Sequence, residues 1–185
     1  KKEAWLPGET ISAAIGQGYV TVTPLQMASM IGTVANDGVS YRPRLVQAIM
    51  DRTTGNLQEM PAVARGKAHA KPETFRIIKE ALAAVVTEGT ATRAKSSIVT
   101  IGGKTGTAQV AALGKEKKAE KDIPKKFRDH AWFVAFAPVE APKIAVAVLA
   151  EHMGHGGSAA APLAKEVIET YMKLMPQVPT VAPQS

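Results

Sequence analysis

The apolar residues of this chain change period near Gly89: before it they recur at helical spacing, and after it they fall in short runs of strand length. Thr23-Pro24-Leu25-Gln26 has the form of a capping box, with Thr23 as N-cap and proline at the first helical position, and it predicts a helix from Pro24 to about Ala35. Asn36-Asp37-Gly38 ends it in a turn. Two extended stretches follow, Leu45 to Met50 and a weaker one near Leu57 to Met60, with Asp51 to Asn56 turning between them. Pro72 opens a second helix that Gly89 ends; Phe75, Ile78, Leu82 and Val85 form its expected core face. Ile98 to Ile101, Lys104 to Val110, Trp132 to Ala137 and Ile144 to Ala150 read as strands. Pro138 to Pro142 is short enough to make an antiparallel hairpin of the last two.

Ile144 to Ala150 is apolar on both faces and reads as a central strand covered by helices. A final helix, Pro162 to Met175, is expected to bury Leu163, Val167, Tyr171 and Leu174, and Pro176 closes it. Residues 176–185 are punctuated by proline and read as a disordered tail. The fold class is therefore α/β of the α+β type, an antiparallel sheet flanked by helices, without repeats or an interdomain linker.

Composition narrows the picture modestly. The chain has 185 residues, 45% hydrophobic and 21% charged, which suits one domain or most of one. No apolar run reaches membrane-spanning length, and the first residues do not resemble a signal peptide. There is no cysteine, so disulfides and thiolate zinc sites are excluded. The net charge of +7 comes largely from Lys115 to Arg128, where seven basic residues face Glu116, Glu120 and Asp122. Phe127 is the only aromatic residue there, so base stacking has little support; the run reads as a solvated loop or lid that can also steer an anionic polymer.

The chemistry concentrates in Lys104-Thr105-Gly106-Thr107. A cation, two hydroxyls and a residue without a Cβ, adjacent on a strand, equip it to hold a peptide that carries a carboxylate. Such a peptide docks in extended form on a sheet edge, and alternate side chains read its groups. Thr105 and Thr107 then share a face, while Lys104 and Gly106 have the opposite parity, so the lysine must reach around. A bare Lys-Thr-Gly is also what a surface strand beginning with lysine would carry.

Context decides between these. Lys104-Thr-Gly-Thr-Ala-Gln109, in a strand followed by two more strands and a helix, resembles the third motif of the active-site-serine penicillin-binding transpeptidases, which accompanies Ser-x-x-Lys and Ser-Asp-Asn. Leu6 to Ala28, with its Gly16-Gln-Gly18-Tyr19, is similar to the segment after the second motif in class B penicillin-binding proteins. Arg128 to Pro138 and Ile144 to Val148 are similar to the strands after the third. The resemblance runs from about Trp5 to Met175 and is strongest to the elongation-specific branch of that class. It implies a penicillin-binding, β-lactamase-like fold that is incomplete in this chain, with residues 1–175 as the C-terminal portion of the transpeptidase domain.

No serine has lysine three residues later or asparagine two residues later, so the nucleophile is expected outside the chain. Thr92-Arg-Ala-Lys95, Thr170-Tyr-Met-Lys173 and Thr54-Gly55-Asn56 imitate the missing motifs, but each has a complete local explanation in a turn or helix surface. His152-Met-Gly-His155 lacks a third metal ligand beyond Glu151, so no metal is expected. His130 leads into a strand, where it is placed to orient the site's rim; a structural role, with Asp129 fixing a turn, is the preferred reading.

By the resemblance, a serine elsewhere attacks the carbonyl between the terminal D-alanines of a peptidoglycan stem peptide, D-alanine leaves, and a neighbouring amine takes the acyl group. Lys104 would supply positive potential and help shuttle the proton. Thr105 and Thr107 would bind the terminal carboxylate, Gly106 would keep the approach open, and the Thr107 N–H would form half of an oxyanion hole. β-Lactams are the implied inhibitors, and no cofactor is required. The implied setting is the periplasmic face of the cytoplasmic membrane, reached through an anchor outside this chain, with a RodA-type glycosyltransferase and an MreC-type scaffold as partners. A D,D-carboxypeptidase or serine β-lactamase on the same scaffold, and a non-catalytic sensor or docking module, are the alternatives.

Overall fold

The computed structural model describes residues 5–110 and 123–175. The expected tail and residues 115–122 of the basic run lie outside the described residues. In chain order the elements are α1 (Pro7–Ala14), α2 (Pro24–Ala35), β1 (Val39–Tyr41), β2 (Ala48–Met50), β3 (Leu57–Glu59), β4 (Ala64–Lys67), α3 (Pro72–Thr87), β5 (Gly102–Ala108), β6 (His130–Ala137), β7 (Ile144–Ala150) and α4 (Ala160–Leu174).

The capping box at α2 is formed as expected: the Gln26 N–H donates to the Thr23 hydroxyl at 3.2 Å, and the Thr23 N–H donates to Gln26 Oε1 at 2.8 Å. Asp37 and Gly38, with φ of 50° and 90°, turn the chain out of the helix. The next extended stretch is shorter than expected, because only Ala48 to Met50 pair with Leu57 to Glu59. The turn between them rests on Asp51, whose Oδ1 accepts the Thr53 N–H at 2.8 Å; this bond and the Thr54 N–H hold the carboxyl below its usual range. Thr54-Gly55-Asn56 thus belongs to a hairpin turn. Helix α1 and the β1–β4 pair were not legible in the pattern: α1 buries no residue, and β4 is a polar Ala-Arg-Gly-Lys segment.

The main sheet has the order β5-β6-β7, antiparallel throughout. The central strand is therefore β6, not β7. Every residue of β7 is half-buried, and its outer edge has no partner among the described residues. Both faces of β6 are covered. Ala131, Phe133, Ala135 and Ala137 join Val86 of α3 and Ala164 and Ile168 of α4 in one core, while Val134 and Phe136 pack with Ile31 and Ala35 of α2 in a second.

Two expected helix faces are corrected. On α3 the buried residues are Phe75 and Val86, with Leu82 and Val85 half-buried, and Ile78 is exposed. On α4 the buried face is Ala160, Ala161, Ala164 and Ile168, each 0% exposed, whereas Leu163, Val167 and Leu174 are 46%, 49% and 73% exposed. Small residues let α4 lie close to the sheet, and that close approach outweighs burial of the larger stripe.

Ile98 to Ile101 is not a strand. Its polar groups are committed elsewhere: the Ile98 N–H donates to the Ser96 hydroxyl at 3.1 Å, and the Thr100 hydroxyl accepts the Val139 N–H at 3.1 Å and donates to Glu140. That donation holds the Glu140 carboxyl below its usual range. A depressed carboxyl stabilises the fold above its unfolded-state pKa, and the contribution is lost as pH falls through the lowered value. Strand β5 starts two residues before the expected Lys104 because Gly102 and Gly103 pass over aromatic rings. A Cβ would lie 2.8 Å from Phe136 Cζ at the first and 2.5 Å from Phe133 Cζ at the second.

The loop into α4 presses on this sheet from behind. A Cβ on Gly156 would lie 2.2 Å from the Trp132 carbonyl oxygen and 2.6 Å from that of Gly106. The Gly156 carbonyl in turn accepts the N–H groups of Ala160 and Ala161, at 3.0 and 2.9 Å, and so ties the first turn of α4 to the β5–β6 backbone.

Denaturant titration should show Phe133→Ala costing about 3–5 kcal/mol, the range for a fully buried aromatic residue. Ile78→Ala should cost less than about 1 kcal/mol, because that side chain is exposed. Gly156→Ala should destabilise by about 1–3 kcal/mol, since backbone atoms rather than a flexible side chain must give way.

Candidate active site

Lys104 to Thr107 lie on β5, an edge strand that pairs only with β6 among the described residues. Thr105 stands opposite Phe133 and Thr107 opposite Ala131, on the face covered by α3 and α4. Lys104 stands opposite Val134 and Gly106 opposite Trp132, on the face toward α2. The alternation read from the sequence is the alternation in the fold. Lys104 is exposed, and its ammonium turns along its own strand to donate to the Thr105 carbonyl at 2.9 Å. No salt bridge among the described residues involves it.

A cavity of about 570 Å³ runs along β5 from Lys104 to Gln109 and reaches His130 and Trp132. Its opposite wall is the segment after α1, Ile15 to Gly18 and Val20 to Val22, with Met27 and Met30 of α2. Gly16 and Gly18 adopt φ of 75° and 70°, the left-handed conformation that favours glycine and turns this wall sharply. The Glu9 carboxylate of α1 raises the pKa of the Tyr19 hydroxyl, and the Trp5 and Tyr19 rings lie 6.4 Å apart at the same end. A larger cavity of about 820 Å³ lies between α2, β1 and the β6–β7 hairpin; none of Lys104 to Thr107 lines it.

The Thr105 hydroxyl lies 2.8 Å from that of Thr90, in the turn after α3. Sequence reasoning missed Thr90, because it belongs to no motif and is fifteen residues from its partner. His130, at the start of β6, borders the cavity, and its Nδ1 accepts the His152 backbone N–H at 2.9 Å. His152 Nδ1 is 3.1 Å from the Arg128 carbonyl, and the two imidazole rings are 4.5 Å apart. The Asp129 carbonyl accepts the Gly154 N–H at 2.9 Å. The His155 carbonyl accepts from Ser158 and Ala159 at the entry to α4. His130 and His152 fasten the loop after β7 to the start of β6, and among the described residues no three His, Asp or Glu side chains converge as metal ligands.

The arrangement suits an extended ligand with an anionic end: a strand edge without a partner among the described residues, an exposed cation, two hydroxyls and a facing wall that is largely apolar. Comparison with known proteins agrees with it. Residues 1–169 match the model of the penicillin binding protein transpeptidase domain. The chain is 37% identical over 96% of its length to the peptidoglycan D,D-transpeptidase MrdA of Haemophilus influenzae, and spans 28% of that protein. Among solved structures it is similar to Pseudomonas aeruginosa PBP2 in complex with WCK 5153, with a TM-score of 0.71 and 33% identity over 92% of this chain and 35% of that one. It is also similar to penicillin-binding protein A of M. tuberculosis in its ceftriaxone acyl-enzyme complex, with a TM-score of 0.70 and 32% identity over 85% of this chain and 34% of that one. With the family model matched along nearly its whole length and PBP2-type enzymes among its relatives, the chain belongs to the penicillin-binding protein transpeptidase domain family.

Proposed function

We propose that this chain supplies the substrate-binding strand of a serine peptidoglycan D,D-transpeptidase of the PBP2 type, active in cell elongation, and that the nucleophilic serine lies elsewhere in the same protein. The observation that carries the reading is the cavity along the open edge of β5, bordered by Lys104, Thr105, Gly106 and Thr107. The chain spans about a quarter to a third of the relatives it matches, which supports its being part of a larger domain. The exposed Leu163, Val167 and Leu174 stripe of α4 and the outer edge of β7, which has no partner among the described residues, are surfaces that an upstream half of the domain would cover.

In this reading the stem peptide lies along β5 with its terminal carboxylate at the hydroxyls of Thr105 and Thr107, and Lys104 provides the positive potential. The serine oxygen attacks the penultimate D-alanine carbonyl and forms an ester while terminal D-alanine departs with a proton. An amine from a second stem then attacks the ester, and the serine recovers its proton. The Thr107 N–H faces the developing oxyanion, and one such donor contributes about 3 kcal/mol at the transition state. Lys104 passes the proton by way of a hydroxyl that the chain itself does not contain. A β-lactam carries its carboxylate in the place of the peptide's and acylates the same serine; that the mycobacterial relative forms an acyl-enzyme with ceftriaxone supports this reading. The site of action is the periplasmic face of the cytoplasmic membrane, with a RodA-type glycosyltransferase and an MreC-type scaffold as partners. No helix among the described residues is long and apolar enough to cross a membrane.

Intact mass spectrometry of the full-length protein after exposure to a penicillin should show one drug mass added outside this chain. Lys104→Ala should slow that acylation by about 100-fold or more, as loss of a proton-transfer group does. Thr105→Val should raise the penicillin concentration needed while leaving the melting temperature unchanged. Acylation of this chain itself, or normal acylation of Lys104→Ala, would overturn the assignment.

A further inference from the structure

We propose that Thr90 is a positioning residue for the substrate-binding strand: its hydroxyl fixes the Thr105 hydroxyl in the orientation that leaves the Thr105 hydrogen free for an incoming carboxylate. This inference rests on the reading of Thr105 as a carboxylate ligand.

The contact is 2.8 Å between the two Oγ1 atoms, which ties the turn after α3 to the middle of β5. The turn that carries Thr90 is itself held on both sides. The Gly89 N–H donates to the Ala84 carbonyl at 3.1 Å and the Ala91 N–H to that of Val85 at 3.0 Å, and Ala91 is fully buried. From the other side the loop into α4 presses on it: a Cβ on Gly157 would lie 2.2 Å from the Thr90 carbonyl oxygen. Arg93 closes the same contact by donating to the Ser158 carbonyl at 3.0 Å.

A threonine at β5 has three staggered orientations, which exchange the places of its hydroxyl and methyl. Here the methyl is directed to Gly157, at 3.7 Å from the point a Cβ there would occupy, and the hydroxyl to Thr90. A hydroxyl carries one donor and two acceptor lone pairs. When the Thr90 O–H donates, Thr105 accepts without spending its own hydrogen, and a hydroxyl that accepts one hydrogen bond is a stronger donor in the next. Thr90 thus acts through Thr105 and needs no contact with the substrate.

The test is penicillin acylation of the full-length protein, with the limiting rate and the half-saturating concentration measured separately. Thr90→Val should reduce the second-order acylation constant by about 5- to 10-fold, the effect of one lost hydrogen bond. The loss should fall on the half-saturating concentration, with the limiting rate and melting temperature unchanged, and Thr90→Ser should restore the wild-type value. In a Thr105→Val background, Thr90→Val should add nothing. Should valine crowd the turn and unfold the protein, Thr90→Ala takes its place in the same cycle. Wild-type acylation by Thr90→Val or its Thr90→Ala replacement, or a Thr90→Val loss that multiplies that of Thr105→Val, overturns this inference while Thr105 keeps its role. If Thr105→Val alone acylates like the wild type, the underlying assignment of Thr105 fails instead.

Discussion

The burial of β6 on both faces is the constraint on which the rest of the structure depends. Phe133 and Phe136 point to opposite sides of one strand and are both fully enclosed, the first with α3 and α4 and the second with α2. Their positions set the register with β5, because the rings occupy the space where side chains at Gly103 and Gly102 would stand. Slipping the register by one residue would invert every side chain of β5 and drive Ile101 or Lys104, depending on the direction, into one of the two rings. The same pairing sends the lysine to one face and the two threonines to the other. The strand that presents the charged and hydroxyl groups is thus placed by an apolar core that contains none of them.

A second layer of control comes from behind the sheet. The Gly156-Gly157 loop touches the β5–β6 backbone, carries the entry to α4 and bears on the turn of Thr90. Glycine is required there by space, since a side chain would meet carbonyl oxygens and not flexible neighbours. Three segments far apart in the chain, near residues 90, 105 and 156, therefore meet within one or two hydrogen bonds of each other. The strand edge that faces the cavity stays open while its back is held rigidly. Such a division suits a site that must accept an extended ligand without rearranging.

The distribution of apolar surface follows the same logic. The sheet takes small residues from α4 and leaves Leu163, Val167 and Leu174 outward, while the outer edge of β7 has no partner among the described residues. An outward stripe of this kind gains nothing in water.

How much of this was legible in the residues depended on whether the deciding contact was local. The α2 cap, the turn at Asp51, the β6–β7 hairpin and the alternation of Lys104 to Thr107 rest on neighbours within a few positions, and the sequence alone determined them. The Lys-Thr-Gly-Thr segment and its flanks were enough to identify the family, because that string and its sequel are specific as a set. Tertiary structure alone decided the strand order that makes β6 central, the face of α4 that is buried, the loss of Ile98 to Ile101 as a strand, and the meeting of Thr90 with Thr105. Each of those turns on close approach between distant segments, where the absence of a Cβ or the fit of a ring outweighs hydrophobic periodicity, and periodicity carries no information about which distant surface a face will meet.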